Sequence, residues 1–285
     1  MRAWLVACLV ALLRGFGQLL FMPHTGAGAL VMLGILINSP LMLMAALFGG
    51  TGATLMGRWT MSAREFNQGL AGFNGTLLGL AAALLMQPSA LLWGLVFVGG
   101  GISAWCFNWG MQRNLQLLTA PYIVLMLLIW WQMTTLDQPD GGLQLHWPDA
   151  AVLSGAMTGV GQMGFQGSLL SALCMFAGLW LGSGWRAVGW AFSGSLIGAL
   201  AGYLVGTDQL ALAIGLGGYN SALIAVALGV VSGHHVRSWQ PWLGIGATTA
   251  LALGGLQLAL IPLLTIPFVL SMWLVIAIER MRLST

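Results

Sequence analysis

The chain alternates long apolar runs with short polar or glycine-containing interruptions along most of its length. Several runs approach the about 20 residues that a helix needs to cross a bilayer, so the pattern predicts a helical membrane protein. Each half of the chain holds six such runs. They cover about 3–22, 26–38, 40–57, 66–86, 89–109 and 115–133 in the first half, and about 150–165, 166–182, 185–205, 209–231, 242–260 and 262–278 in the second.

Three short motifs recur in both halves in the same order, which indicates an internal duplication. The asparagines of the middle motif, Asn74 and Asn220, lie 146 residues apart. We therefore divide the chain into a first repeat at 1–133, a linker at 134–149 and a second repeat at 150–285. The motif pairs are GQLLF with GQMGF, GLAGFNGTLLG with GLGGYNSALIA, and LLTAPY with LLTIPF.

Composition agrees with a membrane protein. Hydrophobic residues make up 59% of the chain and charged residues 5%, which leaves too little polar surface to cover a soluble globule. Nothing in this composition indicates a nucleic-acid partner. The three cysteines stand at unrelated spacings in apolar segments, which is typical of small buried hydrophobes. Residues 1–14 resemble a signal peptide but lack a cleavage site, so we expect them in the mature protein.

The arginines predict the topology. The linker holds Asp137, Asp140 and Asp149 but no arginine, whereas both termini carry arginine, so the linker is expected outside and the termini in the cytoplasm. Each half then crosses the membrane an odd number of times. Because each half has six apolar runs, one of them must enter the membrane and return to the same face, and we take this to be the first run. The loop arginines that then fall inside are Arg58, Arg64, Arg113, Arg186 and Arg237.

A unit that crosses the membrane an odd number of times and is repeated once must have its second copy inverted in the membrane. We therefore predict an all-α polytopic membrane protein with two inverted repeats of five transmembrane helices, each with one re-entrant half-helix. Glycine and asparagine in the repeated motif indicate helix breaks that line a cavity, where buried Asn74 and Asn220 must each find hydrogen-bond partners. Small-residue faces for helix packing are the competing interpretation.

The few ionisable side chains indicate a neutral permeant. Glu65, Asp208 and Glu279 map to segment ends, and we expect no ionisable group in the apolar interior. The pair His234 and His235 is interpreted as a solvated loop pair rather than a metal site, and no metal or cofactor is expected.

Amide, hydroxyl and aromatic side chains recur near the predicted breaks. Amide and hydroxyl groups accept N–H bonds and donate to a carbonyl, and two aromatic faces form a flat slot, so the set suits a small planar amide. These residues are Gln18, Gln162, Thr119, Thr265, Phe21, Phe165, Phe73 and Tyr219.

The paired asparagine and threonine motifs resemble those of the urea transporter family, and the resemblance extends from Gln18 to Trp273. It implies a homotrimer in which each protomer has ten transmembrane helices, two re-entrant helices and its own urea pore. It also implies two urea sites. The first consists of Gln18, Phe21, Phe73, Leu77 and Thr265, and the second of Gln162, Phe165, Tyr219, Leu223 and Thr119.

The sequence departs from the family pattern at three positions. Proline usually stands three residues before the threonine, but Gln116 takes that place in the first half, and Tyr122 and Tyr219 replace phenylalanine. Some members of the family carry glutamate at the position of Gln162, so the charge of that site varies.

We therefore predict passive, channel-like conduction of urea across the inner, or plasma, membrane, with both termini cytoplasmic. A channel for ammonia or short amides is an alternative that requires histidines in the pore. An intramembrane hydrolase that uses Ser193 or Ser195 requires a histidine at membrane depth. A purely structural assembly protein would need no duplicated polar residues.

Overall fold

The structure, a computed structural model, describes residues 2–132, 150–258 and 261–283. The chain forms two compact units, Met1–Leu143 and Gln144–Thr285. Helices and turns account for the regular structure of the described residues, which agrees with the predicted all-α class. The predicted linker at 134–149, with its three aspartates, lies outside the described residues.

The described residues of the first unit form seven α-helices, with a 3₁₀ turn at Gln18–Leu20 after the first. They are α1 (Arg2–Gly17), α2 (Thr25–Asn38), α3 (Pro40–Thr60), α4 (Ala63–Asn67), α5 (Gly72–Leu85), α6 (Ala90–Gln112) and α7 (Ala120–Gln132). Helix α3 packs against both α5 and α6, and α5 also packs against α7.

The second unit has the same order of elements, with a 3₁₀ turn at Gln162–Gly164. The part of this unit that the structure describes has six helices, which are α8 (Ala151–Gly161), α9 (Leu169–Leu204), α10 (Gln209–Ala213), α11 (Tyr219–Val226), α12 (Trp239–Leu258) and α13 (Ile266–Leu283). Helix α9 packs against α8 and α11, and α11 is continued by a π-helical turn at Ala227–Val231.

Helix α9 is broken where the first unit has the junction between α2 and α3. Ser183 (φ −149°) and Gly184 (φ +66°) leave helical geometry inside α9. The first unit changes helix at Ser39 and Pro40 instead, where the Ser39 hydroxyl accepts from the Met42 N–H at 3.2 Å. Because a serine cap and proline favour a helix start, two different sequences produce a break at the same point.

The helices are suited to a membrane by length and by surface. Among the described residues, four helical segments are long and apolar enough to cross a bilayer. Large apolar side chains also face outward, and tryptophans stand exposed near helix ends at Trp59 (84%) and Trp185 (75%). The chain is thus a multi-pass membrane protein. The four segments are Arg2–Leu20, Pro40–Thr60, Ala90–Gln112 and Leu169–Leu204.

The predicted re-entrant runs remain a prediction. Arg2–Leu20 is long enough to span, whereas its counterpart α8 has 11 residues. Helix length therefore does not single out the first run of each half as the partial one. The inverted orientation of the repeats also remains a prediction.

Candidate functional site

Both units interrupt their first helix at the glutamine motif. In the first unit, α1 passes into the 3₁₀ turn at Gln18 and ends at Phe21, whose φ is 61°. In the second unit, α8 passes into a turn at Gln162 and ends at Phe165, whose φ is 60°. A left-handed conformation is uncommon for a bulky side chain and indicates a strained, functional position.

The glutamine side chains are held in one orientation. Gln18 Nε2 donates to the Gln68 carbonyl at 2.8 Å, and Gln162 Nε2 donates to the Ile214 carbonyl at 3.0 Å. A carbonyl oxygen only accepts, so the amide nitrogen must face it. Each glutamine therefore keeps its Oε1 as an acceptor.

The carbonyls that receive these bonds lie at a second break, before α5 and α11. Gly69 (φ +75°) and Gly215 (φ +89°) have left-handed backbones there. A Cβ on Gly69 would lie 2.4 Å from the Gly15 nitrogen, and a Cβ on Gly215 would lie 2.3 Å from the Gly159 nitrogen. Only glycine satisfies both the conformation and the close approach.

Asn74 is fully buried in the first turn of α5 and reaches a third break, before α7. Its Nδ2 donates to the Leu118 carbonyl at 3.1 Å, and its Oδ1 accepts from the Tyr122 N–H at 3.4 Å. Leu118 has a φ of 52°. The amide thus connects the two sides of a turn that lies 44 residues further along the chain.

Asn220 makes the same contacts in the second unit. Its Nδ2 donates to the Leu264 carbonyl at 3.1 Å and its Oδ1 accepts from the Phe268 N–H at 3.3 Å, while Leu264 has a φ of 46°. The expectation that both asparagines find partners is met. They bridge the break of the threonine motif rather than the break beside them.

The predicted aromatic and leucine residues lie on the first two turns of α5 and α11. Phe73 and Leu77 are buried in the first unit, and Tyr219 and Leu223 are buried in the second. Phe73 packs edge-on against Phe107, with 5.0 Å between ring centroids. Phe107 is a neighbour that the sequence motifs did not reveal, because it lies on α6 outside them.

The phenol of Tyr219 explains its departure from phenylalanine. Its hydroxyl donates to the Leu264 carbonyl, which also receives the Asn220 amide. Two side chains therefore bind this carbonyl in the second unit. In the first unit, Phe73 has no hydroxyl to offer, and the Leu118 carbonyl receives Asn74.

The predicted threonines stand beside these carbonyls. Thr119 follows Leu118 and immediately precedes α7, and Thr265 follows Leu264 and immediately precedes α13. Both threonines are buried, with 6% and 3% of their surface exposed. Each unit thus collects its asparagine and threonine at one break.

Arg14 is a residue beside the glutamine motif that the sequence analysis did not single out. It lies in the apolar α1, one turn before Gln18, and its Nη1 donates to the Asn67 carbonyl at 2.6 Å. Arg14 is only partly buried in the last turn of α1, so the expectation of an apolar interior without an ionisable group stays a prediction. An isolated arginine inside an apolar run was the available signal.

The alternatives find little support in the side-chain contacts. Ser195 is fully buried and donates to the Gly155 carbonyl at 3.3 Å, which is a helix-packing contact rather than an activated nucleophile. His234 is not only solvated, because its Nε2 lies 3.1 Å from Glu279 Oε1. The ammonia alternative requires histidines in the pore, and His24 accepts from the Ala27 N–H at the start of α2.

Comparison with known proteins gives a family. The family model described as Urea transporter matches residues 9–280. Urea transporter 1 of Ovis aries is 25% identical over 256 residues, covering 76% of this chain. Urea transporter 1 of Rattus norvegicus is 26% identical over 239 residues, covering the same 76% share. The chain spans 62% of the length of these relatives.

Proposed function

The chain belongs to the urea transporter family, and we propose from this that it conducts urea passively across a membrane. The match over residues 9–280 confirms the resemblance inferred from the motifs. The family is one of transporters rather than enzymes, which disfavours the intramembrane hydrolase. One observation carries the proposal to the residues: each unit has a glutamine whose amide nitrogen is bound to a backbone carbonyl, at a helix break that ends in a left-handed phenylalanine.

Urea is planar, neutral and rich in N–H donors, and it loses its water shell inside a protein pore. The glutamine Oε1 atoms are suited to replace water, because their Nε2 atoms are already bound to carbonyls at 2.8 and 3.0 Å. A donor-rich solute is favoured by such acceptors, whereas a solute that only accepts is not. The helix breaks add backbone carbonyls of the same chemistry.

We assign the flat walls and the hydroxyl contacts to the repeated aromatic, leucine and threonine residues. Aromatic faces on both sides admit a planar molecule and exclude a bulky one of similar polarity. In our proposal the first slot combines Gln18, Phe21, Phe73 and Leu77 with Thr265 of the second unit.

The second slot takes its threonine from the first unit and its other residues from the second unit. It combines Gln162, Phe165, Tyr219 and Leu223 with Thr119 of the first unit. Asn74 and Asn220 act beside the slots, because their amides bind the Leu118 and Leu264 carbonyls and hold each threonine in place.

The larger arrangement is part of the same proposal. Two inverted repeats of five transmembrane helices and one re-entrant half-helix would enclose one pore per protomer in a homotrimer. The repeats correspond to 1–133 and 150–285, joined by an extracytoplasmic linker at 134–149. We place the protein in the inner membrane with both termini in the cytoplasm, because the loop arginines favour that orientation.

Reconstitution into vesicles tests the proposal. Stopped-flow light scattering should show urea efflux faster than from protein-free vesicles. Thr265→Val should lower that flux about fivefold, since a lost hydroxyl contact costs about 1 kcal/mol. Thr265→Ser should restore it.

Thr248→Val is the matched control. Thr248 is fully buried on α12 and its hydroxyl has no hydrogen-bond partner among the described residues, so the same substitution removes no bond there. Urea flux should stay within about twofold of the wild-type value, since no contact is lost. Equal losses of flux in Thr265→Val and Thr248→Val would withdraw Thr265 from the slot, and wild-type vesicles no faster than empty ones would end the proposal.

A further inference from the structure

Arg14 holds a positive charge beside the first glutamine. Arg14 lies on α1 and Gln18 begins the 3₁₀ turn that continues it. Because four residues separate them, their Cα atoms lie on one helix face about 6 Å apart along the axis. Their targets are also adjacent: Arg14 Nη1 donates to the Asn67 carbonyl at 2.6 Å, and Gln18 Nε2 to the Gln68 carbonyl at 2.8 Å. The Arg14 guanidinium and the Gln18 amide are therefore bound to neighbouring backbone carbonyls.

This charge has no carboxylate partner in the described part of the chain. An arginine stays ionised at any ordinary pH. No acidic side chain of the described ranges forms an ion pair with it, and its Nε is buried without a hydrogen-bond partner. Glu65, on α4, accepts instead from the Ser62 N–H and hydroxyl at 2.9 and 2.6 Å. The positive charge is thus available to act on a solute at Gln18.

The second unit shows that the carbonyl contact does not require a charge. Thr158 stands four residues before Gln162, as Arg14 does before Gln18. Its hydroxyl and that of Ser154 donate to the Ala213 carbonyl at 2.8 and 3.0 Å. Neutral hydroxyls therefore bind the equivalent carbonyl. The guanidinium of Arg14 adds a positive charge that these hydroxyls lack.

The chemistry of the proposed slot creates a need for such a charge. Carbonyl and amide oxygens beside aromatic faces attract cations as well as neutral N–H donors. Guanidinium ion has the planar shape and N–H groups of urea together with a positive charge. A slot of this composition alone would therefore bind guanidinium at least as well as urea.

We propose that Arg14 is a specificity-determining residue that excludes planar cations from the urea pathway by electrostatic repulsion. The proposal rests on the proposed function, because it concerns the same slot. At an effective dielectric constant of about 20, a unit charge within about 10 Å disfavours a second cation by about tenfold or more. Urea, which is neutral, is not repelled.

Vesicle flux measurements on two variants test this inference. Arg14→Gln removes the charge and keeps an N–H donor, whereas Arg14→Lys keeps the charge. Urea efflux is followed by light scattering, and uptake of radiolabelled guanidinium is followed under an inside-negative potassium diffusion potential. The ratio of guanidinium to urea flux should rise about tenfold or more in Arg14→Gln and stay near the wild-type value in Arg14→Lys. A purely structural role would change both fluxes together and leave the ratio unchanged.

Wild-type protein provides a second measurement that needs no variant. Neutral, planar thiourea should inhibit urea flux, and guanidinium at the same concentration should not. Competition by guanidinium as strong as that by thiourea, or an unchanged flux ratio in Arg14→Gln, would overturn the role of Arg14 while urea conduction stands. Wild-type vesicles without urea flux would instead refute the function on which it rests.

Discussion

Replacing the two bridging asparagines by leucine should destabilise the two units unequally. Asn74→Leu and Asn220→Leu both preserve volume approximately and both remove a side-chain amide that is fully buried. Each loses one bond to a carbonyl and one from a backbone N–H. The two variants differ in whether the carbonyl keeps another side-chain hydrogen-bond donor.

The Leu264 carbonyl keeps a partner in Asn220→Leu, because the Tyr219 hydroxyl also donates to it. Two lost hydrogen bonds cost about 2 kcal/mol in the free energy of unfolding. In Asn74→Leu the Leu118 carbonyl also loses its side-chain donor inside the protein, which adds about 1–3 kcal/mol. We therefore expect a loss of about 3–5 kcal/mol for Asn74→Leu and about 2 kcal/mol for Asn220→Leu.

Unfolding by SDS in mixed micelles, followed by circular dichroism, measures the two losses. Tyr219→Phe should cost more in the Asn220→Leu background than in wild type, by about 1–2 kcal/mol, because it then removes the last side-chain donor to Leu264. Equal destabilisation by the two asparagine variants, together with additive effects of Tyr219→Phe, would refute the inferred division of hydrogen bonds.

Two further predictions concern backbone and topology. Gly69→Ala should destabilise the protein by more than about 2 kcal/mol, because the left-handed conformation and the contact with Gly15 both exclude a Cβ. Gly94→Ala should be tolerated, because nothing lies within 4 Å of its Cβ position. Thermal unfolding of both variants in detergent measures the difference, and equal melting temperatures would contradict the prediction. A cysteine at Gly141 should react with an impermeant thiol reagent added outside and one at Ser238 should not, whereas the reverse pattern of labelling would overturn the proposed orientation.

Periodicity and repetition were sufficient to predict much of the fold. The apolar runs predicted helices because length and hydrophobicity decide whether a segment suits a bilayer. The runs at 66–86 and 209–231 were less accurate, since the structure divides the first around Gly69 into α4 and α5 and the second around Gly215 into α10 and α11. Glycine in that motif did indicate a break, but the contact with Gly15 that requires it is tertiary and leaves no pattern in a single sequence.

The positive φ angles of Phe21 and Leu118 could not be predicted from the sequence, because they also depend on tertiary contacts. Nothing about Leu118 or Phe21 favours a positive φ, and Leu118 lies beside an amide that comes from a residue 44 positions away. Arg14 was different, because its charge was visible in the sequence. It was missed because the arginines were assigned to loops, whereas this one lies within a helix and binds the Asn67 carbonyl.

Locating a heavy-atom analogue of urea tests the two proposed slots most directly. Selenourea keeps the plane and the N–H groups of urea and gives an anomalous selenium signal in a crystal of the protein. We predict one selenium peak beside Gln18 and one beside Gln162, each with an N–H group of the analogue within hydrogen-bond distance of the glutamine Oε1. Selenium peaks only at sites remote from both glutamines, in crystals of protein that conducts urea, would contradict the assignment of the pathway to these paired helix breaks.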